Sequence, residues 1–423
     1  MNEGAVVELD IDSLGHLGEG VAKNGKRVTH VAYALPGERV RARLEGARAS
    51  LIEILEPSPE RITPICGHFG DCGGCAAQHM SAPVYGDWKR RILTRALAQA
   101  RIEMEVGPLI DAHGEGRRRA TFHARFKGDR VAVGFMQARA HRIVAIEDCP
   151  ILAPSMSQAL AATRAIAALI AKLGKPLDLS ATASLRGLDV DIRGAGELSQ
   201  VLREGLVEAA VGLDLARLSN HGEVLLERRA PEILMGSAVV APPPGAFLQA
   251  TGEGERRLAA LAMETINGER VADLFAGVGA FALRLAERHS VHAVDINGAA
   301  IAALTRAARQ ASRLRPLSVE TRDLFARPLT RQELSRFDAV VFDPPRAGAA
   351  AQAAEIAASH VPSVVAVSCN PATFARDARI LIDGGYRLEK TTPIDQFRFS
   401  PHLEIVGAFS RAKITKRTRP ILG

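Results

Sequence analysis

Cys66, Cys72 and Cys75 stand in CGHFGDCGGC at a C-x5-C-x2-C spacing. In a cytosolic chain thiols stay reduced, and so tight a cluster serves a metal better than a disulfide. A closed structural site wants four ligands, and Cys149 in EDCPIL supplies the fourth. Four thiolates suit zinc and iron–sulfur alike, so ligand type leaves the choice open, while closure points to a structural role. The fifth cysteine, Cys369, ends the apolar run SVVAVSC and is followed by Asn-Pro. A free cysteine is usually a small buried residue, yet a thiol delivered to a ligand-binding rim can act as a nucleophile.

A second group of residues points to a small-molecule pocket. VADLFAGVGAFALRLA, Val271 to Ala286, reads as a strand, a loop with Gly277 and Gly279, and a helix. Such glycines let backbone approach a ligand at a helix N-terminus. Asp295 closes the next strand about twenty residues on, where a carboxylate binds ribose hydroxyls. A dinucleotide site competes, but position 282 is Ala, so the full G-x-G-x-x-G is missing. DLFAGVG instead resembles the first motif of S-adenosylmethionine methyltransferases. Arg322-Asp323 follows another strand-like run and is placed to meet an adenine, and Asp343-Pro344-Pro345-Arg346 ends a further one. His402-Leu403-Glu404 puts two titratable side chains on one face of a final strand, with Glu404 the candidate general base.

The elements that must position these residues follow from periodicity. Beyond Pro242-Pro243-Pro244, the runs VADLF, VHAVDI, FDAVVFD and SVVAVSC alternate with alanine-rich helical stretches at 280–289 and 298–312. That alternation predicts an α/β, doubly wound sheet over residues 245–423, with ligands at the strand carboxyl ends. Residues 1–57 form short alternating runs with Gly-rich turns, which predict a small OB-like β-barrel. Residues 58–244 read as a mixed α+β domain. It includes a helix at 88–100 and an amphipathic helix at 159–173 with Leu160, Thr163, Ala167 and Ile170 on one face.

The 423 residues carry a formal charge of +7 and a pI near 9.4, which favours a polyanionic partner, nucleic acid first. Three basic clusters sharpen this: Trp88-Lys89-Arg90-Arg91, Arg117-Arg118-Arg119 and the tail from Arg411 to Arg419. The acidic start MNEGAVVELDID is no secretory signal, which predicts a cytoplasmic protein, and no apolar stretch reaches the roughly 20 residues of a membrane span.

Taken together these motifs resemble the RNA uracil-5-methyltransferase family. The resemblance is carried by Phe247-Leu248-Gln249, the glycine loop, Asp-Pro-Pro-Arg-Ala-Gly, Ser368-Cys369-Asn370-Pro371 with Thr373, Arg376 and Asp377, and His402-x-Glu404. LPGERVRARL resembles the TRAM domain, and Cys-Gly-Gly-Cys-Ala-Ala-Gln-His with Tyr85 and Lys89 resembles the family's four-iron four-sulfur segment. The resemblance implies a class I methyltransferase sheet, S-adenosylmethionine, and a 4Fe-4S cluster on Cys66, Cys72, Cys75 and Cys149. It also implies Cys369 as nucleophile and Glu404 as base, with Gln249, Phe275, Asp295, Asp323 and Asp343 around cofactor and uracil. It departs at Ala280, where the family often has Asn, and at Asp295, where many relatives carry Glu. The expected partner is RNA, ribosomal rather than transfer RNA because of the barrel, bound by a monomer. The rival readings are a transfer RNA uracil-5-methyltransferase, an amino-group methyltransferase, against which Arg346 stands in place of an aromatic, and a non-catalytic RNA-binding factor.

Overall fold

The computed structural model describes residues 4–127, 130–138, 140 and 142–411. The first 57 residues form six strands, from Val6–Asp10 to Arg48–Glu56. Val6–Asp10 lies at one edge of their sheet and Ser13–Leu14 at the other, yet only two residues join these strands. The sheet therefore curls into a barrel, filled by Ile11, Ala22, Val31, Ala34, Val40, Ala42, Leu44 and Ala49.

The middle of the chain builds a seven-stranded sheet in the order Ile143–Ala145, Arg130–Met136, Arg119–Lys127, Leu177–Ser184, Gly187–Arg193, Arg217–Asn220, Glu223–Glu227. The helix Ala159–Leu169 lies against it. Its expected stripe of Leu160, Thr163, Ala167 and Ile170 is buried, and the chain leaves through a 3-10 turn at Ala171–Leu173.

The C-terminal sheet has eight strands. In spatial order they are Leu317–Thr321, Ser290–Asp295, Arg270–Leu274, Ala339–Phe342, Ser363–Ser368, Glu404–Ser410, Arg387–Asp395 and Ile110–Asp111. The first five pair in parallel, and Glu404–Ser410 then inserts antiparallel beside Ser363–Ser368. The inner parallel strands are buried on both faces, as their near-continuous apolar runs require: all of Ala339–Phe342 is buried, whereas the edge strand Leu317–Thr321 is not. One strand comes from outside 245–423, since Ile110–Asp111 pairs with Ile394 and Asp395. The helix Ala82–Gln99 accompanies it, with Leu93 and Leu97 packed in one core with Phe374 of the helix Pro371–Asp383.

Several expectations change. The helix expected at 280–289 shrinks to Ala282–Leu285, because Gly279 turns at φ +101 just before it and no side chain caps its start. The helix expected at 298–312 runs Gly298–Gln310, capped by Asn297, whose side chain accepts from the N–H groups of Ala299 and Ala300. The basic clusters are internal clamps rather than solvated faces. Lys89 is fully buried against Asp395 at 2.9 Å, and Trp88 is buried and donates to the Gly15 carbonyl. Arg118 pairs with buried Glu255, and Arg119 donates to the Leu248 carbonyl at 3.0 Å. Arg411 donates to the carbonyls of Ala357, Ser359 and Gly384, and the rest of the basic tail lies outside the described residues. No helix among the described residues is long and apolar enough to cross a membrane.

Candidate active site

Strand register brings the two proposed catalytic groups together. In the antiparallel pair of Ser363–Ser368 with Glu404–Ser410, Ser368 lies opposite Ile405, so Cys369 and Glu404 follow as the next facing positions. Residues so opposed present side chains on the same face, with Cβ atoms about 5 Å apart. Both line one cavity of 440 Å³ at the strand carboxyl ends, together with Gln249, Phe275, Gly277, Asp295, Asp323, Asp343 and Arg346. His402 is exposed and precedes the strand, so it does not share a strand face with Glu404 as the sequence suggested.

A chain of side-chain amides spans the cavity floor. Gln249 Nε2 donates to Asp343 Oδ2 at 3.2 Å, and Gln249 Oε1 accepts from Gln396 Nε2 at 2.6 Å. Gln396 Nε2 also reaches Glu404 Oε1 at 3.1 Å. Burial pushes the Asp343 carboxyl up to about 7. Burial, and then the charge of Asp343, hold Glu404 well above the usual carboxylate range. The Cys369 thiol is raised to about 11 by burial and by both carboxylates, with Arg346 partly offsetting them. Asp273, one residue from the carboxyl end of its strand, is wholly buried, where burial and the nearby Asp343 raise it well above the ordinary range.

The glycine loop is built for close approach. Phe275 leaves its strand at φ +65, and Gly277 at φ +54 has nothing within 4 Å of the place a Cβ would take. Gly279 does not line the cavity; a Cβ there would stand 2.5 Å from Leu304 Cδ1, so this glycine serves packing beneath the loop. Asp295 Oδ2 accepts from Gly277 N–H at 2.8 Å and Oδ1 from Asn297 N–H at 2.7 Å, which ties the loop to the next strand. Asp323 accepts from the N–H groups of Phe325 and Ala326. Ala280 does not line the cavity. The Pro344-Pro345-Arg346 loop is pinned from the helix after Cys369: Asn370 Nδ2 and Thr373 Oγ1 donate to the Arg346 carbonyl, and Arg376 donates to the Ala347 carbonyl.

The other four cysteines line a separate cavity of 210 Å³ with His68, Phe69, Gln78 and Arg117. All five cysteines are free. Burial raises Cys72 and Cys75 and pushes Cys149 up to about 12, so thiolates there call for a cationic partner. Among the described residues no three such side chains close on a point as one metal ion demands. The donors available on this cavity's wall are four soft sulfurs.

Residues 241–412 match the family model described as tRNA (Uracil-5-)-methyltransferase, and residues 1–50 match the TRAM domain. The chain is 46% identical over 407 residues to an RNA methyltransferase of Brucella suis biovar 1 (strain 1330), covering 96% of this chain and 98% of that protein. It is 33% identical to the 23S rRNA (uracil(1939)-C(5))-methyltransferase of Halomonas elongata, covering 94% and 88%. The chain belongs to the RNA uracil-5-methyltransferase family. The fold is shared with the Pyrococcus abyssi tRNA (uracil-54, C5)-methyltransferase solved with S-adenosyl-L-homocysteine, at a TM-score of 0.73 and 23% identity over 95% of this chain and 99% of that one.

Two parts of this RNA methyltransferase's cavity escaped sequence reading. Gln396, fully buried and central to the amide chain, is a single glutamine with no spacing to mark it. Ile296 and Phe325 follow directly on Asp295 and within two residues of Asp323, and remain 62% and 50% exposed on the rim beside Phe247 at 70%. Large apolar groups left exposed at strand ends were the available signal.

Proposed function

We propose that this enzyme forms 5-methyluridine in large-subunit ribosomal RNA through a covalent adduct on Cys369. The observation that supports it best is the cross-strand placement of Cys369 and Glu404 on one cavity wall. Uracil C5 is too weak a nucleophile to take a methyl group alone. Addition of the Cys369 thiolate at C6 moves electron density to C5, which then takes the methyl. S-adenosylmethionine supplies that methyl, and Gly277, Asp295, Asp323 and Phe275 line the part of the cavity suited to hold it. Glu404 then removes the C5 proton, and the C6–S bond breaks to release product and thiolate. The step needs Glu404 ionised, its own proton having left to solvent beforehand; the burial that raises its proton affinity then makes the carboxylate a stronger base than an ordinary glutamate. Gln249 and Asp343 face the same space and present an amide and a carboxyl to the uracil edge.

The ribosomal assignment is supported by the barrel and by the 23S rRNA relative. Mapping 5-methyluridine in 23S and transfer RNA from a strain lacking this protein tests it. Loss from transfer RNA alone would reassign the substrate. We also read Cys66, Cys72, Cys75 and Cys149 as holders of a 4Fe-4S cluster: the four thiols line one cavity, and the family resemblance favours iron–sulfur over zinc. Stoichiometric zinc without iron in anaerobically purified protein would refute this.

The adduct is the mechanistic test. Cys369→Ala is expected to abolish methylation and adduct while still binding S-adenosylmethionine. Glu404→Gln is expected to accumulate a denaturation-resistant protein–RNA adduct with the methyl already transferred. An adduct persisting in Cys369→Ala would remove the nucleophile assignment.

A further inference from the structure

Two of the three basic clusters that the sequence marks are not free to draw RNA, and the third lies mostly outside the described residues. The basic clusters at 88–91 and 117–119 are largely engaged inside the protein. The barrel is no richer: residues 1–57 hold seven Lys or Arg against nine Asp or Glu. On its surface Arg39 is paired with Glu8 and Arg41 with Glu53. A net acidic barrel contributes shape and hydrogen bonds to RNA binding, but little of the counterion-releasing attraction to phosphate.

The opposite holds along the helix Gly298–Gln310 and the turn after it. Residues 296–319 contain Arg306, Arg309, Arg313 and Arg315 and no Asp or Glu. All four arginines are exposed, and none of their side chains has an ion-pair or hydrogen-bond partner among the described residues. Ala302, Arg306 and Arg309 follow the i, i+4, i+7 stripe on the outward face, while Ile301, Leu304 and Ala307 are buried on the inward one. Arg315 N–H donates to the Ala286 carbonyl, which brings a fifth exposed and unpaired arginine, Arg288, to the same end. The helix starts at the cavity itself, because Asn297 and Ala300 line it. From there it runs outward for about 20 Å.

We propose that this arginine stripe is a phosphate-binding track for the RNA strand that leaves the pocket. The proposal rests on the uridine-pocket reading, since it takes the RNA to enter at Cys369. Unpaired guanidiniums on a fixed helix face carry no desolvated partner to give up, so each is free to bind a phosphate oxygen through two N–H groups. The track packs on Ser290–Asp295 and Leu317–Thr321 at one edge of the sheet, so it adds charge to the RNA path beside the pocket.

The test is the full-length triple variant Arg306→Gln/Arg309→Gln/Arg313→Gln. Binding of a transcribed 23S rRNA fragment and of a short uridine oligonucleotide that fills only the pocket is measured across a salt series. For the long RNA, the slope of log affinity against log salt is expected to shrink by about two to three, one contact's worth for each arginine. Oligonucleotide affinity, S-adenosylmethionine binding and the melting curve are expected to stay as in the wild type. An unchanged slope for the long RNA overturns the proposal. Unchanged binding to naked RNA combined with lost methylation of ribosomal particles also overturns it, and would assign the stripe to an acidic protein. If the wild type methylates no uridine yet the slope falls as expected, the pocket reading fails and the phosphate track stands.

Discussion

His79 offers a direct test of how the barrel is held to the rest of the molecule. It is fully buried, neither ring nitrogen has a hydrogen-bond partner among the described residues, and it packs on Phe69 at 5.4 Å and Tyr33 at 6.2 Å. Burial, and then the nearby Arg61 charge, push its pKa from an ordinary 6.5 down to about 4. A depressed histidine means that the unfolded chain takes up the proton first. The stability tied to neutral His79 is therefore complete above pH 6.5 and is lost as pH falls toward 4. At pH 5 the loss is about 2 kcal/mol, from 1.36 kcal/mol per pH unit below 6.5. His79→Phe keeps the ring packing and removes the titration. The one tryptophan, Trp88, reports on this joint, because it packs with Leu14 and Leu35 of the barrel and with Ala77 and Met80 of the cysteine segment. Urea unfolding followed by its fluorescence is expected to show the wild type losing about 2 kcal/mol more than His79→Phe between pH 7.5 and pH 5. Parallel losses in the two proteins would mean that His79 finds a proton-accepting partner, and the reasoning would fail.

Other consequences are equally measurable. Lys89→Met strands the buried Asp395 carboxylate, and thermal unfolding is expected to show a loss of about 3–5 kcal/mol, partly recovered when Asp395→Leu is added. With its thiol raised to about 11, Cys369 of the free enzyme is expected to be alkylated by iodoacetamide roughly tenfold faster for each pH unit from 7 to 9; a plateau near pH 8 would contradict the geometry. Gly279→Ala is expected to melt lower than Gly277→Ala, since only the former drives a Cβ into Leu304.

What the sequence disclosed depended on whether the physics was local. Strand ends at Asp295, Asp343 and Cys369 were readable because period and apolar runs are local properties, and the cavity followed from the doubly wound order. Partners far along the chain were not readable. Nothing near Lys89 announces Asp395, and nothing near Arg118 announces Glu255, so both basic clusters resembled nucleic-acid contacts until the fold supplied their carboxylates. The alanine-rich stretch at 280–289 has helical propensity, but the glycine turn before it leaves only four helical residues. His402 and Glu404 share a two-residue spacing, yet the strand begins only at Glu404, so the spacing placed no face for His402.

The pairing of Ile110–Asp111 with Ile394 and Asp395 also sets a schedule for the protein's birth. The partners lie about 280 residues apart, and a ribosome adding about 5–20 residues per second needs roughly 15–60 s to travel between them. For that interval the emerging chain carries an edge strand without its neighbour and a lysine without its carboxylate. Among the described residues the last strand made is the one that begins at Glu404, and it closes the gap between Ser363–Ser368 and Arg387–Asp395. Synthesis interrupted between Cys369 and Glu404 yields a polypeptide that has glycine loop and thiol but cannot join Ser363–Ser368 to the strands beyond it. The thiol and its facing carboxylate therefore come together only once Glu404 has been made.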